Sequence, residues 1–140
     1  MRLTARRLNR ATLARQLLLR REPVEVTEAV RRVVALQAQE AASPYLALWN
    51  RLAPFDPAAL DAAFAGHEVI KATLMRITLH AVTAADYPAF HRAMAESLRA
   101  ARRHDRRYTQ TGLSAADADA LIPHLVIGRA SCRERVLRLV

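Results

Sequence analysis

Cysteine and long apolar runs are almost missing from this 140-residue chain. Its single cysteine, Cys132, can form neither an internal disulfide nor a zinc cluster, which argues against a disulfide-stapled scaffold and fits a reducing compartment. The longest run without a charge, residues 41–50, is ten residues long. Crossing a bilayer takes roughly 20 apolar residues, and arginines interrupt the N-terminal segment. We therefore expect no membrane span and no secretory signal peptide.

Lysine is also scarce, and this affects how the net positive charge is interpreted. The 22 basic residues against 13 acids give a formal net charge of +9, but only Lys71 is a lysine. Such a bias, with abundant alanine, is typical of GC-rich genomes, so part of the basicity reflects nucleotide composition. The distribution is more informative, because residues 2–21 hold seven arginines and no acid, and residues 99–107 hold five. Two basic patches on one domain favour a polyanionic partner; the alternative is a solvated arginine-rich surface.

The hydrophobic fraction of 52% with 25% charged residues indicates one globular domain. Apolar spacing predicts a first amphipathic helix over residues 4–20. Thr27 is the expected cap of a second helix, Ser43-Pro44 of a third over residues 45–52, and Asp56-Pro57 of a fourth that ends at Gly66. The positions of the second segment expected to face the core are Val30, Val33, Val34 and Leu36.

Further along, two runs rich in β-branched residues, 69–75 and 77–82, predict a hairpin whose junction at Arg76 lacks a favoured Asn-Gly. A capping box at residues 83–86 opens a long helix into the second arginine cluster, and Ser114 caps a last helical piece. The expected fold class is mainly α with a small β-hairpin, arranged as a winged helix, a helix-turn-helix variant. The module would span residues 1–110, with residues 111–126 starting a following helical segment.

The last residues differ in style from the rest. Residues 127–136 translate, codon by codon, a common short-read sequencing adapter. We interpret residues 127–140 as an artefactual tail on a natural sequence that continues differently after Val126. Without the four arginines and one glutamate of this tail, the formal net charge falls from +9 to +6, and Cys132 is lost.

Three blocks carry a resemblance to a known family: LNRATLARQLLL at residues 8–19, LQAQE with SPYLALW at residues 36–49, and TLMRITLHAVTAADY at residues 73–87. The sequence resembles the winged helix DNA-binding proteins related to the AlkZ and YcaQ DNA glycosylases, which excise alkylated bases and unhook interstrand crosslinks. One departure is Ile77, since a glycine usually follows Arg76 in the family.

The resemblance implies three tandem winged helix modules and a C-terminal β-rich part, of which this chain is the first module. It also implies that Gln37 and Gln39 are catalytic, in a motif of glutamine, apolar residue, glutamine. Amides do not titrate near neutral pH, so these side chains can orient water and stabilise a developing oxocarbenium ion but cannot act as a general base. Two such amides are sufficient only if the leaving group is already activated. The implied reaction is hydrolysis of the N-glycosidic bond of N7-alkylated purines or crosslinks, without metal or cofactor.

The implied partner is duplex DNA, including alkylated or crosslinked DNA. From the absent targeting signals we expect a cytoplasmic, nucleoid-associated protein. The residues predicted to contact DNA are Arg6, Arg10, Arg15, Arg76, Arg102, Arg103, Arg106 and Arg107. Two alternatives stay open: a non-catalytic winged helix DNA-binding protein, in which the glutamines are only a polar helix terminus, and an arginine-rich helical domain for protein contacts. The chain by itself is expected to be inactive, because one module does not enclose DNA. Trp49 and Tyr45 are expected in the core, and His80 is expected to be a satisfied histidine.

Overall fold

The computed structural model describes residues 3–121, which contain seven α-helices, one short 3-10 turn (Met75–Ile77) and three strands. The helices are α1 (Ala5–Arg15), α2 (Val26–Val33), α3 (Ser43–Trp49), α4 (Pro57–Ala65), α5 (Tyr87–Arg103), α6 (Arg106–Thr109) and α7 (Ala115–Leu121). The strands are β1 (Leu36–Gln37), β2 (Val69–Thr73) and β3 (Leu79–Thr83). The chain is thus mostly helical, with one strand of its small sheet between α2 and α3 and the other two between α4 and α5.

The sheet is antiparallel, with three strands in the order β1-β3-β2. Its register places Leu36 opposite Ala81 and Val69 opposite Thr83, all buried, so these residues share the face that packs on the helices. The core combines this face with side chains from α2, α3 and α4. The largest fully buried side chains are Leu48, Leu52, Leu60, Leu74, Val30, Val69 and Val82.

The predicted caps at Asp56 and Ser114 are confirmed. The Asp56 carboxylate accepts a hydrogen bond from the Ala58 N–H at 2.9 Å, and α4 ends with Gly66 as its C-cap, as predicted. Ser114 opens α7 through a complete capping box with Asp117. The predicted hairpin forms between β2 and β3. The Thr83 hydroxyl accepts from the Asp86 N–H at 3.2 Å as expected, although α5 starts only at Tyr87.

Two helix boundaries differ from the predictions. The first helix ends at Arg15 rather than residue 20, because Leu17 takes a positive φ of 54° and turns its side chain into the core. The second helix starts at Val26 with Glu25 at its N-cap, so Thr27 lies inside it and does not cap it. Val34 was expected in the core but is 49% exposed, since the chain leaves the helix there with a φ of 76°.

Other corrections concern the sheet and α3. The two-stranded ribbon is a three-stranded sheet, because β1 pairs with β3. The third helix, Ser43–Trp49, begins two residues earlier than predicted, with Ala42 as its N-cap. Trp49 is not core but 52% exposed, and the Arg21 guanidinium lies 4.3 Å from the centre of its ring. The long helix α5 breaks at His104, so the second arginine cluster is divided between α5 and α6.

The predicted adapter-like tail at residues 127–140, together with Cys132, lies outside the described residues, as does the end of the segment predicted at residues 111–126. Within residues 3–121, none of the helices is long and apolar enough to cross a membrane.

Candidate nucleic-acid interface

The two predicted catalytic glutamines lie at the edge of the sheet, just after α2 ends. Leu36 and Ala38 are buried, and Gln37 and Gln39 are exposed. Because alternate residues of an extended strand point to opposite sides, the two glutamines share one face of the chain. The buried neighbours hold the backbone between them, so that both amides are presented to solvent from a fixed strand.

Strand β3 fixes this segment further. The Ala38 N–H donates to the Leu79 carbonyl at 2.8 Å, which continues the ladder beyond β1. The Leu79 N–H in turn donates to Oε1 of Gln39 at 3.3 Å. This bond engages the amide oxygen of Gln39 with the protein, so its two amide N–H groups point away as available donors. Gln39 is therefore held at the sheet edge through its amide oxygen.

His80 lies directly opposite Gln37 in the register between β1 and β3. Residues paired in this way have Cβ atoms about 5 Å apart on the same face of the sheet. His80 is only 8% exposed, and its Nδ1 lies 2.9 Å from the Thr78 carbonyl oxygen. Since a carbonyl only accepts, Nδ1 carries the proton in this contact. His80 is thus hydrogen-bonded as predicted, but its place next to Gln37 could not be inferred from spacing.

The hairpin turn is strained at Arg76 and Ile77. Both have positive φ, 53° and 59°, and the Thr78 N–H donates to the Met75 carbonyl at 3.3 Å across the turn. Two such residues are what type I′ hairpin turns require, and glycine or asparagine normally supplies them. A β-branched side chain in this region costs about 1–2 kcal/mol. Burial of the side chain does not offset this cost in full, because Ile77 is 50% exposed.

The predicted DNA-binding arginines occupy three places. Arg6, Arg10 and Arg15 are exposed on α1, which buries none of its residues. With about 100° per residue, the first two lie about 40° apart around the helix and the third about 140° further, so the three do not share one face. Arg76 is exposed in the hairpin turn. The remaining four are exposed at the end of α5 and in α6: Arg102, Arg103, Arg106 and Arg107.

The second cluster and the hairpin border the same cleft. This cleft of about 450 Å³ lies between the hairpin and α5, and its walls include Ile77, Lys71, Tyr87 and Arg102. The structure therefore brings the hairpin turn near Arg102. It brings the turn near the glutamines as well, since Leu79, two residues after Ile77, holds Gln39. The arginines of α1 have no such connection to the glutamines.

The arginines that form ion pairs are different from the arginines predicted to contact DNA. Among the described residues, Arg20 pairs with Glu22, Arg31 and Arg32 pair with Glu28, and Arg99 pairs with Asp119. Hydrogen bonds from Arg31 and Arg32 lower the pKa of the Glu28 carboxyl to about 2. The eight arginines predicted to contact DNA make no ion pair within residues 3–121. Their charge is available to an external anion.

In the same described range, His, Cys, Asp and Glu side chains do not converge in any group of three or more that could hold a metal ion. The polar and apolar groups exposed at this edge are amides, guanidinium groups and the strained turn at Ile77. The amides and guanidinium groups are the residues predicted from the sequence, and their roles stay predictions; the strained turn was not predicted. The signal available for the turn was the missing glycine after Arg76.

The fold and this edge define a mostly helical unit whose small antiparallel sheet presents two glutamines to solvent. The model of the family described as DNA glycosylase AlkZ-like matches residues 30–137, which include both glutamines and the hairpin. The chain belongs to the AlkZ-like DNA glycosylase family. That family acts on DNA, so DNA binding, DNA repair and glycosylase chemistry apply at family level.

A solved structure supports the fold. The Streptomyces sahachiroi DNA glycosylase AlkZ superimposes with a TM-score of 0.71 over 86% of this chain at 23% sequence identity. The match covers 32% of that protein, so the chain spans about a third of its length. At this identity the likeness concerns the fold. Among curated proteins, none matches the chain.

Proposed function

We propose that the chain is a DNA-binding module that contributes the glutamine part of a DNA glycosylase active site. The observation that carries this proposal is the pair Gln37 and Gln39, exposed side by side on a strand edge while Ala38 between them is buried. Strand alternation places both side chains on one face, and the 3.3 Å hydrogen bond from the Leu79 N–H to Oε1 additionally holds the amide of Gln39. The substrate would be DNA with an N7-alkylated purine or a related crosslink.

The module itself is proposed to be a winged helix spanning residues 1–110, the first of several in a longer protein. The order α2, β1, α3, α4, β2, β3 and the sheet order β1-β3-β2 support it, with the β2–β3 hairpin as the wing. In this arrangement α4 would occupy the place of the recognition helix. It contains no arginine or lysine and carries Asp61. Duplex DNA is therefore expected at the glutamine edge and the hairpin rather than at α4.

The proposed chemistry follows from the two amides. Water attacks C1′ of the nucleotide, the C1′–N9 bond breaks, its electron pair goes to the cationic base, and the proton of the water passes to solvent. The carbonyl of Gln37 can accept a hydrogen bond from the water and face the positive charge that develops on the sugar. Gln39, whose oxygen is engaged by Leu79, would donate to the phosphate or the base. Neither residue needs to titrate, because alkylation has already activated the leaving group.

DNA binding is tested directly on this chain. We expect binding to duplex DNA whose logarithmic affinity falls linearly with the logarithm of salt concentration, by about 0.9 per phosphate contacted. An arginine-rich domain for protein contacts, the alternative class, would show no such binding at physiological salt.

Catalysis is tested on the product of the uninterrupted gene, since the match spans about a third of a glycosylase. That protein should release N7-methylguanine from methylated DNA, and both Gln37→Ala and Gln39→Ala should abolish release while DNA binding persists. An inactive gene product that still binds DNA would favour the non-catalytic alternative.

A further inference from the structure

We propose that Ile77, at the tip of the hairpin, is a wedge that enters the base stack of duplex DNA next to the nucleotide held by Gln37 and Gln39. The inference deepens the proposed function and rests on it. It assigns a DNA-distorting role to a side chain outside the glutamine pair and outside the predicted arginines.

The tip of the hairpin is held in an unfavourable backbone conformation. A β-branched residue is held with φ at 59°, next to Arg76 at 53°, where glycine would be free of strain. The surrounding hydrogen bonds enforce this conformation. The Ile77 N–H donates to the Leu74 carbonyl at 3.0 Å, and the Thr78 hydroxyl donates to the Met75 carbonyl at 3.1 Å. Strain that the surroundings maintain in this way is a feature of functional sites.

The side chain of Ile77 is partly exposed at the hairpin tip. Leu74 at the base of the turn is fully buried and anchors it, but half of the Ile77 surface faces solvent. Burial therefore offsets the strain only in part. An exposed aliphatic side chain on a narrow hairpin, next to an exposed arginine, has the composition of the wedges that proteins insert between base steps. Arg76 is placed to contact the phosphates or the minor groove alongside it.

Ile77 lies close to Gln39 through Leu79. The Leu79 N–H holds the amide of Gln39, and Leu79 is two residues from Ile77. Two residues of extended chain reach at most about 7 Å, and successive bases are spaced about 3.4 Å apart along a strand. With the 3.3 Å hydrogen bond from Leu79 to Gln39 added, the span is about 10 Å, so a nucleotide at Gln39 would lie within about three base steps of Ile77. A wedge at this point would unstack the neighbouring pair and open access to the glycosidic bond.

The test compares this chain with Ile77→Gly and Val34→Gly. Ile77→Gly removes the wedge but suits the positive φ, so the fold is retained. Val34→Gly is the matched control, because Val34 is also β-branched, exposed and held at a positive φ, outside the hairpin. The probe is a duplex that contains a tetrahydrofuran abasic-site analogue with 2-aminopurine as the neighbouring base, whose fluorescence rises on unstacking. Circular dichroism checks the fold of each variant.

The wild-type chain and Val34→Gly should increase 2-aminopurine fluorescence equally at saturation, and Ile77→Gly should reduce the increase at least about twofold, because unstacking is driven by the inserted side chain. Its affinity for the duplex should change less than about threefold, since phosphate contacts dominate affinity. An unchanged increase with Ile77→Gly, or the same reduction with Val34→Gly, overturns the wedge and leaves the proposed function intact. Failure of the wild-type chain to bind the duplex overturns both.

Discussion

Helices α1 and α2 are consecutive, amphipathic and rich in arginine, but the fold uses them differently. Helix α2 buries Val26, Ala29, Val30 and Val33, and its two arginines pair with Glu28. Helix α1 buries no residue, leaves its leucines exposed and has no acidic residue near its four arginines. Amphipathic spacing therefore predicts a helix but not whether its apolar face is covered.

The two helices also differ in how they are attached to the rest of the fold. The end of α1 is fixed through Leu17, which is buried, and through Arg51, which donates from Nε to the Gln16 carbonyl and from Nη1 to the Ala47 carbonyl, both at 2.8 Å. The rest of α1 projects from this attachment. The comparison suggests that α2 is a scaffold element and that α1 is a basic surface element. Four predictions test this distinction.

The largest effect is expected for the core side of α2. Val30→Ala removes two buried methyl groups and should lower the free energy of unfolding by about 2 kcal/mol. Leu8→Ala, at an exposed position of α1, should change it by less than about 0.5 kcal/mol. Urea unfolding measures both. Equal costs would contradict the distinction and indicate that α1 packs against something in solution.

The next effect concerns DNA. The double variant Arg6→Gln/Arg10→Gln removes two unpaired charges from one face of α1 and should weaken duplex binding about tenfold, with the salt slope reduced by about 2. Arg31→Gln is the control, because Arg31 is already paired with Glu28, and it should alter the slope little. Fluorescence anisotropy across a salt series distinguishes the two. If the control variant lost as much, the paired arginines of α2 would belong to the interface.

A smaller effect is expected at the attachment of α1. Arg51 is partly buried, and this burial lowers the pKa of its guanidinium. Arg51→Lys cannot reach both carbonyls with one ammonium group, so unfolding should become easier by about 1 kcal/mol. Amide hydrogen exchange should accelerate at residues 16–18 more than in α2. Uniform acceleration would mean that Arg51 supports the whole core instead.

The smallest effect is a pH dependence within α2. Hydrogen bonds from Arg31 and Arg32 lower the pKa of Glu28 from 4.5 to about 2, so the folded state favours its carboxylate. The resulting stabilisation is complete above the unfolded pKa and is lost as pH falls from about 4.5 towards 2. Glu28→Gln should flatten the stability profile in this window, and carboxyl NMR should place the titration of Glu28 near its lower end. A titration near 4.5 would contradict the ion-pair geometry.

Features that depend on near neighbours could be predicted from the sequence. Asp56-Pro57, Ser114 and the β2–β3 hairpin were recognised because their caps and strands are set by residues a few positions apart. Strand β1 was missed because it has two residues and pairs with a strand far along the chain. Trp49 was misplaced because helical spacing groups it with Tyr45, whereas its ring lies against Arg21.

In the candidate site, too, features set by near neighbours could be predicted and features set by long-range contacts could not. The alternation of Gln37 and Gln39 around a buried Ala38 follows from a strand, and the resemblance to the family identified the motif. The bond from the Leu79 N–H to Gln39, the proximity of His80, and the positive φ of Ile77 depend on tertiary structure. Only the absence of glycine after Arg76 indicated the last of these in advance.

The hydrogen bond between Leu79 and Gln39 joins residues 40 positions apart in the sequence. The glutamine motif is therefore short in sequence but cannot acquire its geometry locally. During synthesis, Gln39 emerges well before its partner strand and remains an ordinary polar residue until β3 has been made and paired. Long-range β pairing of this kind is slower than forming a local helix such as α2, because the loop-closure entropy is lost before the strand contacts compensate for it. The site is consequently expected to mature at the end of folding, so that a chain still being folded cannot present the glutamine pair to DNA.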